Sequence, residues 1–243
     1  MSDIAPAPTR TRTRPPGRPR CFDPGAALDA AVEAFLARGY HATSLTDLTT
    51  ATGLHRGSLY AAFGDKHSLF LAALRRHAEH SLAALDATIT AAPSPLAGVR
   101  TFLRDHAERA AGQRDGRGCL VANTTLELLP GDHEVAREIE AYQRRMTARV
   151  ARALDEARAA GELTAADSTE VLARYLFVVV EGMWQLGRTT GGTGALVGVA
   201  EVAFATLAVP TEPTEPTEPT TVVPTPNSGY TDPATRRTDR RTD

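Results

Sequence analysis

Apolar positions along the chain recur at helical rather than strand spacing. After Asp23 and Pro24, the residues Leu28, Val32, Phe35 and Leu36 form one stripe, with Ala31 beside it. Such spacing marks the buried face of an amphipathic helix. Asp23 suits the N-cap and Pro24 the first helical position, where a missing N–H costs nothing. Gly39 closes this helix where a left-handed residue is wanted. Ser44 then caps a second helix, with Asp47 favouring its N-terminal dipole, and Gly53 ends it after Thr52. A third helix runs from near His55 to before Gly64. Asp65 caps a much longer fourth, whose apolar face opens with Leu69, Phe70, Ala73 and Leu74. Two-turn helices are marginal alone, so the second and third must be held by packing through Leu45, Leu48, Leu54, Leu59 and Phe63. Further helices are expected over 95–111, 119–129, 132–160, 164–189 and 193–208, separated by Pro93–Pro95 and by a loop at Gly112–Gly118. Val171–Leu186 is apolar nearly all round, the pattern of a helix buried on two sides. The fold class is all-α, with about nine helices.

Composition supports helices over sheets. Ala and Leu dominate the middle of the chain, and aromatics make up 5%, whereas strands prefer β-branched and aromatic residues. Residues 1–20 are rich in Pro, Arg and Thr and lack periodicity, so a disordered arm is expected there. At Pro210 the chain becomes a Thr-Glu-Pro triplet repeat, and an extended, disordered tail is expected over 210–243. Between them lie residues 21–68 with the short helices and a longer helical region over 69–209. The net charge of −2 hides five Arg against one Asp in the first 20 residues. A basic arm on an acidic body suits a polyanion bound at one end.

Other compositional features mostly exclude. Arg fills every basic position but Lys66, a bias ascribed to a GC-rich genome. The two cysteines, Cys21 and Cys119, are too few for a disulfide framework or a zinc site. No cofactor is expected. The N-terminus has no apolar core of a signal peptide, and no apolar run reaches the ~20 residues of a membrane span. A cytoplasmic protein is expected.

Two short helices joined through a glycine turn make a helix-turn-helix, whose second helix lies in the DNA major groove. The candidate base readers are His55, Arg56, Gly57 and Ser58. Arg56 can pair bidentately with guanine, and Gly57 admits a close backbone approach. Tyr60, one turn on, can reach a phosphate, and Lys66 adds a cation at a helix N-terminus. Residues 21–70 resemble the DNA-binding domain of TetR/AcrR-type transcriptional regulators. The resemblance is carried by Ala31 and Phe35, Gly39-Tyr40, Thr43-Ser44-Leu45, Asp47-Leu48, Gly53-Leu54, Gly57-Ser58-Leu59-Tyr60, Phe63, Lys66 and Leu69-Phe70. It implies DNA contacts that include Thr43 and Ser44. It also implies a homodimer, a small-molecule inducer held by a divergent C-terminal domain, and dimerisation through the last two helices. Double-stranded operator DNA is the expected partner. The sequence departs from that family's pattern at His55, often a small capping Ser, and at Ala62, often an aromatic or His.

Weaker signals lie on both sides of this motif. Arg10, Arg12, Arg14, Arg18 and Arg20 can track phosphates or enter a minor groove, or form only a solubilising tail. Cys119 opens a helix after Arg114 and Arg117, where a thiol pKa is lowered. Some TetR-type regulators with a similar Gly-Cys-Leu-Val run use a cysteine as a redox or electrophile sensor, and the alternative is a small packed residue. His77 and His80 read as a solvated face. Cys119, Asn123, Glu127, Tyr142, Met146, Tyr175 and Trp184 are candidates to line a ligand pocket. No nucleophile elbow, phosphate loop or zinc-protease motif occurs, which disfavours an enzyme. The remaining rival is an architectural helical protein that holds DNA without a ligand.

Overall fold

The computed structural model describes residues 22–112, 117–189 and 193–207. The described residues form nine helices and no extended sheet. The first four are α1 (Pro24–Ala42), α2 (Leu45–Thr52), α3 (Arg56–Phe63) and α4 (Lys66–Ala91). They are followed by α5 (Pro95–Gly112), α6 (Leu120–Leu128), α7 (His133–Ala159), α8 (Thr169–Gly187) and α9 (Thr193–Ala205). The all-α reading and the order of the helices stand. Arg10, Arg12, Arg14, Arg18, Arg20, Cys21, Arg114 and the Thr-Glu-Pro tail lie outside the described residues.

Capping residues set most helix starts. The carboxylates of Asp23, Asp65 and Asp132 accept from amides in the first turns of α1, α4 and α7. Ser44 and Asp47 cap α2 reciprocally, the Asp47 amide donating to Ser44 Oγ and the Ser44 amide to Asp47 Oδ2. α8 starts later than its apolar pattern suggested, because Ser168 caps it by accepting from Val171 N. α1 also differs from expectation. It passes Gly39 with a local break there (φ 79°, ψ 177°) and resumes to Ala42.

One apolar cluster runs through both ends of α4. Phe35 and Phe70 meet edge-on at 4.9 Å, and Tyr40 lies 4.9 Å from Phe70. Leu48 from α2 and Leu59 from α3 are fully buried. Each such burial contributes about 1.5–3 kcal/mol, which is what an eight-residue helix needs to persist. Further along α4, Ala78, Leu82 and Leu85 enter the core of the helical body. There α5 is central, packing on α4, α7, α8 and α9. No described helix is long and apolar enough to cross a membrane.

Candidate DNA interface and ligand cavity

α2 ends at Gly53, whose φ of 67° turns the chain, and α3 begins three residues later. Within α3 only Leu59 is buried, so His55, Arg56, Gly57 and Ser58 form one continuous exposed run. His55 occupies the N-cap without capping, since its side chain accepts no amide bond. The Ser58 amide donates to the His55 carbonyl at 2.9 Å, so the amides of Arg56 and Gly57 are the ones that can take another acceptor, and a phosphate is one. The Arg56 guanidinium lies 5.4 Å from the centre of the Tyr60 ring. Ser44 is exposed at the start of α2.

Two expected DNA contacts occupy more internal positions. Thr43 is fully buried, and its hydroxyl donates to the Gly39 carbonyl at 2.6 Å. Its side chain therefore closes the end of α1, with no exposed surface to offer a phosphate. Lys66 sits in the first turn of α4, with Nζ 4.5 Å above the Tyr40 ring and 3.5 Å from the His41 carbonyl. Its charge is held at the junction of α1 and α4.

A cavity of about 140 Å³ lies inside the helical body. Cys119, Tyr142, Met146 and Trp184 line it, as the sequence suggested. His77, Phe102, His106, Phe177 and Glu181 also line it and were not anticipated. The expected solvated pair separates: His80 is exposed beside Asp29, whereas His77 faces the cavity. Helical spacing puts His77 and His80 on neighbouring sides of α4, and only tertiary packing decides which is covered. Glu181 did leave a trace, as the acid interrupting the apolar run of α8.

Burial governs titration in the cavity. It pushes the Cys119 thiol up to about 12, outweighing the backbone amides that bond to the sulfur. Of the two readings of Cys119 this favours the packed residue over the activated thiolate, because the lost hydration of the anion exceeds the helix-terminus effect. Burial also raises the Tyr142 phenol, and brings His77 and His106 each down to about 4. Glu181 is pushed up to about 7 by burial alone.

Three of the expected pocket residues lie elsewhere. Tyr175 is 40% exposed on the outer face of α8. Asn123 and Glu127 line a surface groove between α1 and α6. Asn123 accepts from Arg188 Nη1 at 2.6 Å. Glu127 Oε2 and Oε1 accept from the amides of Tyr40 and His41 at 2.8 and 2.6 Å. This clasp fits behind the break in α1. A Cβ at Gly39 would lie 2.6 Å from Glu127 Oε2, and φ of +79° disfavours any side chain there. No group of three or more described His, Cys, Asp or Glu residues is placed to hold a metal.

Comparison with known proteins matches both halves of this arrangement. Residues 27–73 match the bacterial regulatory proteins of the tetR family, and residues 95–202 match the tetracyclin repressor-like C-terminal domain. The HTH-type transcriptional regulator YezE of Bacillus subtilis (strain 168) is 32% identical over 161 residues, 66% of this chain and 83% of that protein. The HTH-type transcriptional repressor ComR of Escherichia coli (strain K12) is 31% identical over 171 residues, 69% of this chain and 80% of ComR. Among solved structures, a cysteine mutant of the TetR family transcriptional regulator CifR superposes with a TM-score of 0.68 at 31% identity. It covers 77% of this chain and 98% of CifR, and was solved with 26-base-pair operator DNA. The short exposed helix, the helical body around a cavity and these relatives agree. The chain belongs to the TetR family and is a DNA-binding transcriptional regulator, not an enzyme.

Proposed function

We propose that the protein is a dimeric, one-component repressor released from a palindromic operator by a small-molecule inducer. Residues 21–68 form the DNA-reading unit and residues 69–209 the inducer-binding and dimerisation unit. The observation that carries this is the exposed first turn of α3, on a helix held by buried Leu59 with Phe63 packed against the core. Two copies of α3 then enter successive major grooves about one helical turn apart. His55, Arg56, Gly57 and Ser58 meet the bases. Ser44, Tyr60, Lys66 and, in the arm, Arg18 and Arg20 serve the backbone. The operator complex of CifR and the repressor ComR support the reading by relatedness. It acts where its operator DNA lies, in the cytoplasm.

A thiol sensor at Cys119, within the Gly118-Cys119-Leu120-Val121 run, is the less favoured alternative, since burial keeps its thiol protonated. Cys119, Tyr142, Met146 and Trp184 instead form walls of the inducer cavity.

The test is selection of bound sites from random duplex DNA, followed by footprinting. A palindrome with half-sites one turn apart is expected. Arg56→Ala should weaken binding and relax preference at one position per half-site, whereas Tyr60→Phe should weaken all sequences equally. Recovery of no preferred sequence would refute the operator reading and leave an architectural DNA-binding role.

A further inference from the structure

Two carboxylates line the inner cavity, and they differ in setting. Asp105 is exposed on α5, whereas Glu181 is partly buried on α8 beside the aromatic wall of Phe102, Phe177 and Trp184. Among the described residues, the Glu181 side chain forms no hydrogen bond and no ion pair. An unpaired acid in an apolar enclosure is costly unless a partner arrives.

The other titratable groups facing this space supply no such partner. His77 on α4 and His106 on α5 are neutral at pH 7, because burial disfavours their charged forms. The Cys119 thiol on α6 and the Tyr142 phenol on α7 are protonated for the same reason. Arg109 on α5 is exposed, its guanidinium 3.2 Å from the Asp105 carbonyl and 3.0 Å from the His106 ring. It does not offset the burial of Glu181. Asp105 and Arg109 line the cavity from exposed positions with opposite charges, so the partly buried acid that a ligand can compensate is Glu181, and the ring faces around it carry negative potential of their own.

We propose that the cavity takes a small organic cation, an amine or quaternary ammonium on an apolar body, with Glu181 as its counter-ion. The assignment rests on the cavity's being the inducer site. The volume of about 140 Å³ is close to that of an apolar cavity which accepts benzene, about 150 Å³, so the ligand is about one ring in size. A bound cation favours the ionised form of Glu181 that burial disfavours, whereas an anion or a neutral ligand does not. Glu181 and Phe177 also line the open groove formed by α7 and α8, where Glu140 and Arg144 pair at 2.6 Å. These two side chains thus form the partition between solvent and cavity.

Trp184 is the only tryptophan of the chain and lines the same cavity, so its fluorescence reports occupancy in the full-length protein. The probes are choline and N-methylpyridinium, each paired with an uncharged carbon isostere. Both cations are permanently charged, so the comparison does not depend on protonation of the ligand. Each cation is expected to quench Trp184 saturably and to bind about tenfold or more tightly than its isostere. Glu181→Gln should abolish that preference, and Glu181→Asp, which keeps the charge, should retain it. Equal affinities within both pairs, a preference that survives in Glu181→Gln or vanishes in Glu181→Asp, or no quenching by either cation overturns the proposal. Operator binding by the ligand-free wild type is measured in parallel. Specific DNA binding without a cation preference overturns only the ligand class, and loss of specific DNA binding refutes the regulator reading.

Discussion

At Gly57 the protein spends a helical position on a residue it does not itself require. A Cβ there would meet nothing within 4 Å, and glycine in a helix costs about 0.5–1 kcal/mol relative to alanine. Under the proposed reading the requirement lies outside the chain, in a DNA backbone or base edge that approaches the first turn of α3. Gly57→Ala should raise the melting temperature slightly while weakening operator binding about tenfold, a loss of about 1.4 kcal/mol. Unchanged affinity in an anisotropy titration would remove Gly57 from the interface. The cavity histidines allow a second prediction. Their folded pKa of about 4 lies below the free value of 6.5, so the unfolded chain binds more protons between these values. Stability is present above pH 6.5 and is lost as pH falls towards 4. Glu181 acts oppositely, lowering stability as pH rises from 4.5 to about 7. Two histidines outweigh one acid on the lower flank, so the melting temperature should fall from pH 6.5 to 4. The His77→Gln, His106→Gln double variant should flatten this descent, and an equal fall in both proteins would contradict it. Neither histidine could be placed from sequence. His77 and His80 have the same local character, and only packing distinguishes the covered ring from the exposed one.

At the scale of elements, α6 joins the cavity to the DNA-reading unit. Its N-cap Cys119 and first residue Leu120 line the cavity, and near its other end Glu127 clasps the amides of Tyr40 and His41. Displacement of α6 by a ligand would pull on α1 at the Gly39 break, where Lys66 lies over the Tyr40 ring. Glu127→Gln keeps the shape but replaces a charged double acceptor with one neutral carbonyl. The expected cost is about 1–3 kcal/mol of stability, read by denaturant unfolding. Ligand-driven release of DNA should be blunted more than ligand binding at Trp184. Full release at unchanged ligand concentration would show that the clasp does not couple the two regions. From the sequence, Glu127 was a polar residue on an apolar helix and read as pocket lining. Its partner Tyr40 lies 87 residues away, a distance that local pattern cannot bridge. The caps Asp23, Ser44 and Asp65 were legible because they act within three residues of themselves.

For the molecule as a whole, the remaining unsatisfied feature is an apolar exterior face. Val171, Tyr175, Val178 and Leu186 are exposed at helical spacing on α8, and Val199 and Val202 on α9. The apolar run in α8 was read as burial on two sides, and in the single chain one of those sides is exposed. Side chains repeated over two helices form a self-complementary patch, the kind a two-fold dimer covers. Gly182 on α8 and Gly198 on α9 lie on exposed sides of these helices with no neighbour near a Cβ, so a second copy can approach closely. Under the proposed reading a dimer matters to function because each half of a palindrome would be held by one α3. Linking two weak contacts raises affinity by about 10²–10⁴-fold without new contacts to DNA. Val178→Asp, combined with Val202→Asp, places a charge on each helix of the patch, where burial on association would be costly. The chain should remain folded, since Val178 is 64% and Val202 67% exposed. It should sediment as a monomer and lose about a hundredfold or more in operator affinity. A half-site duplex should be bound by variant and parent chain alike, because α3 is untouched. A variant that still sediments as a dimer would place the interface on another face. A monomer with parental affinity for the full palindrome would mean that one copy of α3 suffices.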